Sequence, residues 1–392
     1  MNRGIIFWRK VALVHGIRNE ATSMKLYEPC FAAQFHCLAG ACPDTCCKDW
    51  EIILDEKTLA RYRALPGAFG DEVRACLTTD AEGDTMFRLT DGHCPLLSSD
   101  GLCRVQLSLG EEALCDTCRA HPRFYEEYGQ TKELTLSISC PAAIGLLFAQ
   151  ETPIKFVCCE DGAPVSGCND LDPDRYFALR RARDTAISIT QNRALPISDR
   201  LSLLLLFAVR LQRLIDAEAY GRLDGLLARF SDDRAVRRAL ARAKRMQSKP
   251  SAFFPCWMLL NNMEHLTQEF PRMLDSQSMQ RPQHVFDPAF DAQWEHLTVY
   301  FLWRYFLKAS VDRRVLSQTE SCLFHVLCIA ALFSCQDARN LQTLSTLASL
   351  YSKEVAASSS KSPGRYQISA SLFCIFSAIC GASRPVCASM YL

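Results

Sequence analysis

Nine cysteines between Cys37 and Cys140 are the residues of this chain best suited to chemistry: Cys37, Cys42, the adjacent Cys46 and Cys47, then Cys94, Cys103, Cys115, Cys118 and Cys140. Thiolates are soft ligands, and a zinc ion or an iron–sulfur cluster collects several of them, at about 2.3 Å from the metal for zinc. The competing reading is a disulfide framework, which belongs to oxidising compartments and normally follows a secretory signal. The apolar stretch from Ile5 to Val14 is interrupted by Arg9 and Lys10 and leads to no small-residue cleavage site, so reduced, metal-binding thiols are expected. Nine candidates exceed what one cluster takes, and a subset of about four is expected to bind. Adjacent residues of a regular backbone point in different directions, which argues against Cys46 and Cys47 on one metal. Arg104, Arg119 and Arg123 stand beside these cysteines and could offset a cluster's negative charge, while His93 and His121 are further donors or polar neighbours. Cys256, Cys322, Cys328 and Cys335 lie among apolar residues and are read as core.

The elements that must position these thiols are short. Trp50 to Leu54 and Met86 to Leu89 are strand candidates, and Asp55 can cap a helix through Leu65. Leu109 to Cys118 reads as a helix that sets Cys115 and Cys118 one turn apart on one face. Glu133 to Ser139 alternates as a strand. Pro141 then suits the first turn of a helix through Phe148, leaving Cys140 at its N-terminus, where the dipole favours a thiolate. Fourteen of the 21 cysteines fall between Cys30 and Cys168, and after Leu171 the pattern changes to long amphipathic periods. Helices are expected at Tyr176 to Ile189, Asp199 to Ile215, Tyr220 to Arg229, Arg234 to Met246, Ala292 to Lys308 and Arg314 to Phe333.

The fold class expected is α+β: a small cysteine-rich metal-binding unit over residues 24–168, packed on a predominantly α-helical domain over 171–355. Residues 1–23 read as an N-terminal extension from an upstream start, because domain-like sequence begins at Met24. Residues 356–392 are atypical; a flexible terminus and a frameshifted reading are the alternatives. A net charge of +1 exerts no global pull toward nucleic acid or anionic membrane. The longest apolar runs, Leu203 to Val209 and Val326 to Phe333, fall short of the roughly 18 residues of a membrane span.

Several segments together resemble one family. Met24-Lys-Leu-Tyr-Glu-Pro29, Phe35-His-Cys-Leu-Ala-Gly-Ala-Cys-Pro-Asp-Thr-Cys-Cys-Lys-Asp-Trp50, Gly92-His-Cys-Pro-Leu-Leu97, Gly101-Leu-Cys-Arg104, Leu114-Cys-Asp-Thr-Cys-Arg-Ala-His-Pro-Arg123 and Leu136-Ser-Ile-Ser-Cys-Pro141 are similar to the flagellin lysine N-methylases. These are related to cysteine-cluster proteins described as zinc or iron chelators. Tyr300-Phe-Leu-Trp-Arg-Tyr-Phe-Leu-Lys308 and Leu350-Tyr-Ser-Lys-Glu-Val355 resemble the family's C-terminal half less diagnostically. After Val355 the family usually continues into a polar helical segment; here Ala-Ala-Ser-Ser-Ser follows, which supports a frameshifted tail.

The resemblance implies an S-adenosylmethionine-dependent protein-lysine N-methyltransferase, acting on flagellin in the cytoplasm, with a 4Fe-4S cluster, or alternatively zinc, on the cysteines. A non-catalytic chelating or interaction protein sharing the cysteine core is the alternative. No Gly-x-Gly-x-Gly loop follows a predicted strand, so a Rossmann-type cofactor site is not visible. The Cys-x3-Cys-x2-Cys run of radical enzymes is broken as well, since Cys42 and Cys46 are followed by Cys47 and then Asp49. N-methylation needs a neutral amine, and a free lysine is protonated at neutral pH. The aromatic residues Tyr300, Trp303 and Tyr305 could form a pocket for amine and sulfonium by cation–π contact, but at helical spacing core is the stronger reading. No catalytic residue is assigned.

Overall fold

The computed structural model describes residues 23–164, 171–245, 260, 265–274 and 285–361. Readings that fall on residues 1–22 and 362–392, the core reading of Cys256 and the helix end at Met246 lie outside the described residues. The chain enters through β1 (Ser23–Pro29), which pairs in parallel with β5 (Thr131–Leu136) and antiparallel with β6 (Phe156–Pro164). With β4 (Arg123–Tyr128) hairpinned onto β5, the sheet order is β4-β5-β1-β6. Gly129, at φ 61, makes the left-handed turn that the short β4–β5 connection needs. A parallel pair cannot be joined by a tight turn and needs a long crossover. The crossover from β1 back to the sheet is the cysteine-rich segment itself.

That crossover has its own small core of Ile52, Leu54, Tyr62, Val73, Phe87 and Leu96. Around it run α1 (Glu56–Arg63), α2 (Gly67–Ala75), the hairpin of β2 (Leu77–Thr79) and β3 (Thr85–Phe87), α3 (Arg104–Leu109) and α4 (Asp116–Ala120). Asp55 caps α1 as its sequence position indicates, its carboxylate accepting from Thr58 N–H at 2.8 Å. Two expectations change here. The strand at Trp50 to Leu54 reduces to one bridge, Ile53 to Met86. The helix from Leu109 to Cys118 is interrupted at Gly110, whose φ of 84 no other residue adopts cheaply; α3 ends there, a 3-10 turn follows, and α4 starts after Cys115.

The helices that follow are α5 (Pro141–Phe148), α6 (Pro173–Thr190), α7 (Ile197–Asp216), α8 (Leu223–Ser231), α9 (Asp233–Arg245), α10 (Glu269–Leu274), α11 (Asp291–Tyr305), α12 (Ala309–Asp312), α13 (Val315–Ser334) and α14 (Leu341–Lys361). The α+β class and the helical majority agree with the sequence reading. The boundary near residue 168 does not coincide with a boundary in packing. Phe31, Leu134, Leu136, Ile138, Ile144 and Leu147 share one continuous core with Leu204, Phe207, Trp294, Leu302, Val326 and Leu344. A sheet with an apolar face must bury it against another layer, and here the layer is the helical half of the chain. The piece that packs by itself is the crossover alone. At the other end α14 continues to Lys361, past the expected break at Val355.

Among the described residues α13 is long and apolar enough to cross a membrane, but 78% of its apolar window is buried inside the protein. Its Cys322 and Cys328 are fully buried core residues. The core also encloses charge. Arg183 of α6 meets Glu133 of β5 through two bonds of 2.5 and 2.6 Å, and Arg200 meets Glu295 at 3.1 Å. Each is paired, as a buried charge must be.

Candidate metal centre

Every described cysteine is a free thiol. Cys103, Cys115 and Cys140 each occupy the residue immediately before a helix, α3, α4 and α5 in turn. Backbone N–H groups just downstream face their sulfurs: those of Gln106 and Val105 for Cys103, Cys118 and Thr117 for Cys115, Ala143 and Ala142 for Cys140, and Leu96 for Cys94. At Cys103, Cys115 and Cys140 they act electrostatically without closing full cap hydrogen bonds. Cys37 accepts a closed bond from Ala39 N–H at 3.4 Å. Turning N–H groups onto sulfurs is how proteins stabilise thiolates and tune cluster potentials.

The thiols also oppose one another's ionisation. Burial first, then neighbouring thiolates, pushes Cys94 up to about 12 and raises Cys103, while burial, then the charges of Cys42 and Cys37, raises Cys140. Contact with Cys47 is the largest cause raising Cys46, and the same contact brings Cys47 down to about 7. Cys115 and Cys118 form a second such pair, Cys118 raised and Cys115 lowered. Such crowding keeps most of these thiols protonated unless a cation neutralises them, which is what a thiophilic metal does.

Among the described residues, no three Cys, His, Asp or Glu side chains converge on a position that could hold a single metal ion. A tetrahedral ion at about 2.3 Å would set its sulfurs roughly 3.8 Å apart. An iron–sulfur cluster spreads its ligand sulfurs around a polynuclear core instead. Of the nine thiols Cys115 alone is buried, Cys37 and Cys46 are exposed and the other six are half-buried.

The other sequence candidates divide. Arg104 is committed to Glu72 and Arg119 to Asp116, while Arg123 lies over the Phe35 ring at 5.0 Å. Beside Lys48, which pairs with Asp44 at 2.8 Å, a second cation that approaches the thiol loop was missed. Lys353 of α14 bonds Asp44, between Cys42 and Cys46, at 2.9 Å. No local pattern pairs residues 309 positions apart, although both lie in segments that carry the family resemblance. His93 points Nδ1 at the Asp91 carbonyl, 2.9 Å away. Trp50 meets His121 edge-on at 5.4 Å. Burial brings His121 down to about 4, and its Nδ1 has no hydrogen-bond partner.

Tyr300, Trp303 and Tyr305 do not form one aromatic box. Trp303 turns to the sheet: its indole N–H donates to Leu134 O at 2.9 Å, its ring stacks on Phe156 at 3.7 Å, and Arg183 lies 4.0 Å from it. The Tyr300 hydroxyl accepts from Arg304 at 2.9 Å, and Tyr305 stacks on Phe301 beside His325. Tyr300 and Trp303 border one apolar cavity with room for about one water-sized sphere, about 10 Å³, too small for a nucleoside in this conformation. A polar cluster that sequence reasoning did not find lies beside Tyr305. His325 Nδ1 is 2.9 Å from the Tyr351 hydroxyl and Nε2 is 3.3 Å from Ser321, and burial aided by Arg304 holds the imidazole neutral, down to about 3. Its residues come from three helices, so only the two tyrosines stood within motifs quoted from the sequence.

Fold and thiol arrangement together define a cysteine-rich α+β protein whose helical half encloses a buried polar cluster. Comparison with known proteins places it further. Residues 183–362 match the model of the FliB lysine N-methylase C-terminal domain. Over 120 residues, 29% of this chain, it is 37% identical to the flagellar biosynthetic protein FliU of Salmonella muenchen, covering 71% of that relative. Over the same length it is 36% identical to the lysine-N-methylases of Salmonella typhimurium and Salmonella choleraesuis, covering 30% of each. The chain belongs to the flagellin lysine N-methylase family. No solved structure matches it.

Proposed function

We propose that this protein transfers methyl groups from S-adenosylmethionine to the ε-amines of flagellin lysines, in the cytoplasm, with an iron–sulfur cluster on its cysteines. Family membership carries the reading, through relatives named as lysine-N-methylases and a flagellar biosynthetic protein. The match spans 30% of each lysine-N-methylase, so activity, substrate and cofactors are inferred for the whole chain.

Bound S-adenosylmethionine would supply an electrophilic methyl, and a cluster on the thiols would supply redox or cross-linking chemistry. The chain's own task is to hold a lysine amine neutral. Arg304 lies 4.6 Å from the half-exposed Phe124 ring and 5.5 Å from that of Tyr305. An amine seated on these rings next to a fixed guanidinium loses its proton more easily, because like charge and partial desolvation both disfavour ammonium. A neutral amine held there would present its lone pair to a methyl donor, the residues' part being to orient it and keep it unprotonated. His325 is too weak a base to take the amine's proton and contributes as a neutral hydrogen-bonding group.

The alternative is a non-catalytic chelating or interaction protein that shares the cysteine core. Co-production with flagellin, followed by mass spectrometry of flagellin lysines, separates the two. Methylated lysines support the enzyme. Unmodified lysines, with protein that retains metal yet binds no S-adenosylmethionine anaerobically, leave the chelator.

A further inference from the structure

Charge is unevenly placed along this chain. Residues 222–245 carry eight basic side chains against three acidic ones, in a protein whose net charge is only +1. Most of that excess belongs to α9. Val236 and Leu240 turn one side of the helix into the protein, while Arg234, Arg237 and Arg238 stand exposed away from it. In the sequence Arg234, Arg238, Arg242 and Arg245 follow one another at spacings of four, four and three, the period of a single helical stripe.

An exposed arginine is ordinarily just solvated, and on neighbouring elements it finds a counter-charge: Arg181 of α6 meets Asp224 of α8, and Arg313 meets Glu218. On α9 it does not. Among the described residues Arg234, Arg237 and Arg238 have no ion pair, and no acid stands three or four residues from either Arg234 or Arg238. Helix physics disfavours the arrangement. Arg234 lies in the first turn, where the dipole favours anions, and Arg238 follows it at the spacing where like charges repel. A helix whose local charges conflict with its own stability breaks the consistency of a purely structural element, and such breaks mark surfaces kept for another purpose.

We propose that the exposed face of α9 docks an acidic stretch of the protein substrate and holds it while lysines elsewhere on that substrate are methylated. Charge complementarity selects the occupant. A lysine-bearing surface is repelled here, so the contact falls on a part of the substrate remote from the modified amines. Guanidinium forks suit carboxylates through paired N–H donors. From Arg234 to Arg245 the helix is about 16 Å long, enough for a short acidic segment laid along it. Nucleic acid fits less well, because α9 carries no aromatic residue on which bases could stack and opens with Asp233. Holding the substrate at a second point raises the effective concentration of its lysines at the reacting site. The identity of the partner rests on the methyl-transfer reading; the dock itself rests on α9.

The test uses the full, metal-loaded chain and purified flagellin, and compares wild type with the triple variant Arg234→Glu, Arg237→Glu, Arg238→Glu. Binding is measured between about 50 and 200 mM salt, with duplex DNA as a second probe, and flagellin methylation is followed by mass spectrometry. Wild-type affinity for flagellin should fall as salt rises. The variant should bind about tenfold or more weakly, with little salt dependence, and its KM for flagellin should rise in step while kcat stays unchanged. Methylation with equal KM in both proteins overturns the dock and leaves methyl transfer standing. Lost flagellin binding in the variant, with no methylation by either protein, keeps the dock and removes methyl transfer. Wild type that binds no flagellin, or a variant that loses DNA binding alone, also overturns the dock. Since acids in the first turn favour the helix, the variant should melt no lower than wild type. If it fails to fold, Gln at the same three positions and the salt dependence of the wild type decide the matter by the same criteria.

Discussion

The ion pair between Glu133 and Arg183 offers a direct test of how the two halves of the sequence are joined. Both side chains are almost fully buried, at 4% and 2% exposure, and two bonds of 2.5 and 2.6 Å align guanidinium with carboxylate. Removing one partner strands the other charge away from water, at a cost of about 3–5 kcal/mol, or roughly a hundred- to several-thousand-fold in the folded-to-unfolded ratio. Glu133→Leu and Arg183→Met should each show that loss. The double variant should recover most of it, because an apolar pair carries no desolvation penalty; what stays lost is the contact of Arg183 with Trp303, about 0.5–2 kcal/mol. Urea unfolding of the intact chain, followed by tryptophan fluorescence and far-ultraviolet circular dichroism, supplies the cycle. Single variants costing under about 1 kcal/mol, or a double variant costing the sum, would refute the reasoning. So would separate melting of sheet and helical half, since β5 and α6 lie in one core.

Lys353→Met should leave the helical core folded but loosen the thiol loop, because Asp44 and Asp49 then face only Lys48 among the cations paired with them; faster metal release to a chelator, at nearly unchanged melting temperature, is the expected reading. Glu354→Ala should cost about 1–3 kcal/mol, since its buried carboxylate accepts from Leu266 N–H, Thr267 N–H and the Thr267 hydroxyl, and chemical denaturation measures it. Burial alone raises Glu320 to about 8 from an ordinary 4.5. The folded state therefore holds a proton that the unfolded chain has released, so stability should fall as pH rises from about 4.5 to 8, by roughly a few kcal/mol in total. Glu320→Gln should flatten that slope, and an unchanged slope would show that the carboxyl finds a partner. Arg304→Met, with the protein still folded and loaded with metal, should lower flagellin lysine methylation at neutral pH more than at pH 9, where free amine is more plentiful; equal loss at both would remove Arg304 from amine deprotonation.

The features legible in the sequence are those written in neighbouring residues. Pro141 after Cys140 fixes the start of α5 to the residue, and Asp55 fixes that of α1. The amphipathic period gives α7 and α13 within two residues at either end. Gly110 marks the break between α3 and α4, but a continuous helical period across it hides the signal until its φ is seen. The crossover was not legible for a different reason. Cysteine density groups residues 30–168 by composition, whereas packing divides them between the small core of the crossover and the main core. Neither β1 nor β6 announces its partner, because parallel register is set by long-range burial rather than local pattern.

The segment Leu350-Tyr-Ser-Lys-Glu-Val355 joins these two levels. In the sequence it is one short stretch of family resemblance. In the fold its polar residues diverge: Tyr351 to His325, Lys353 to Asp44 within the thiol loop, and Glu354 to Leu266 and Thr267. Ser349, immediately before this segment, donates to the Ser139 carbonyl next to Cys140. Fewer than two turns of α14 thus contact both the polar cluster of the helical half and the thiol loop. Each of these residues satisfies a group that is remote in sequence. On that basis the thiol loop is held from the C-terminal side, and a chain ending before Tyr351 should lose the Asp44 contact and the His325 contact together. Measured as metal retention and as the pH dependence of unfolding, the two losses should appear in the same truncation; retention of metal at wild-type level in a chain ending before Tyr351 would show that the loop holds its own shape.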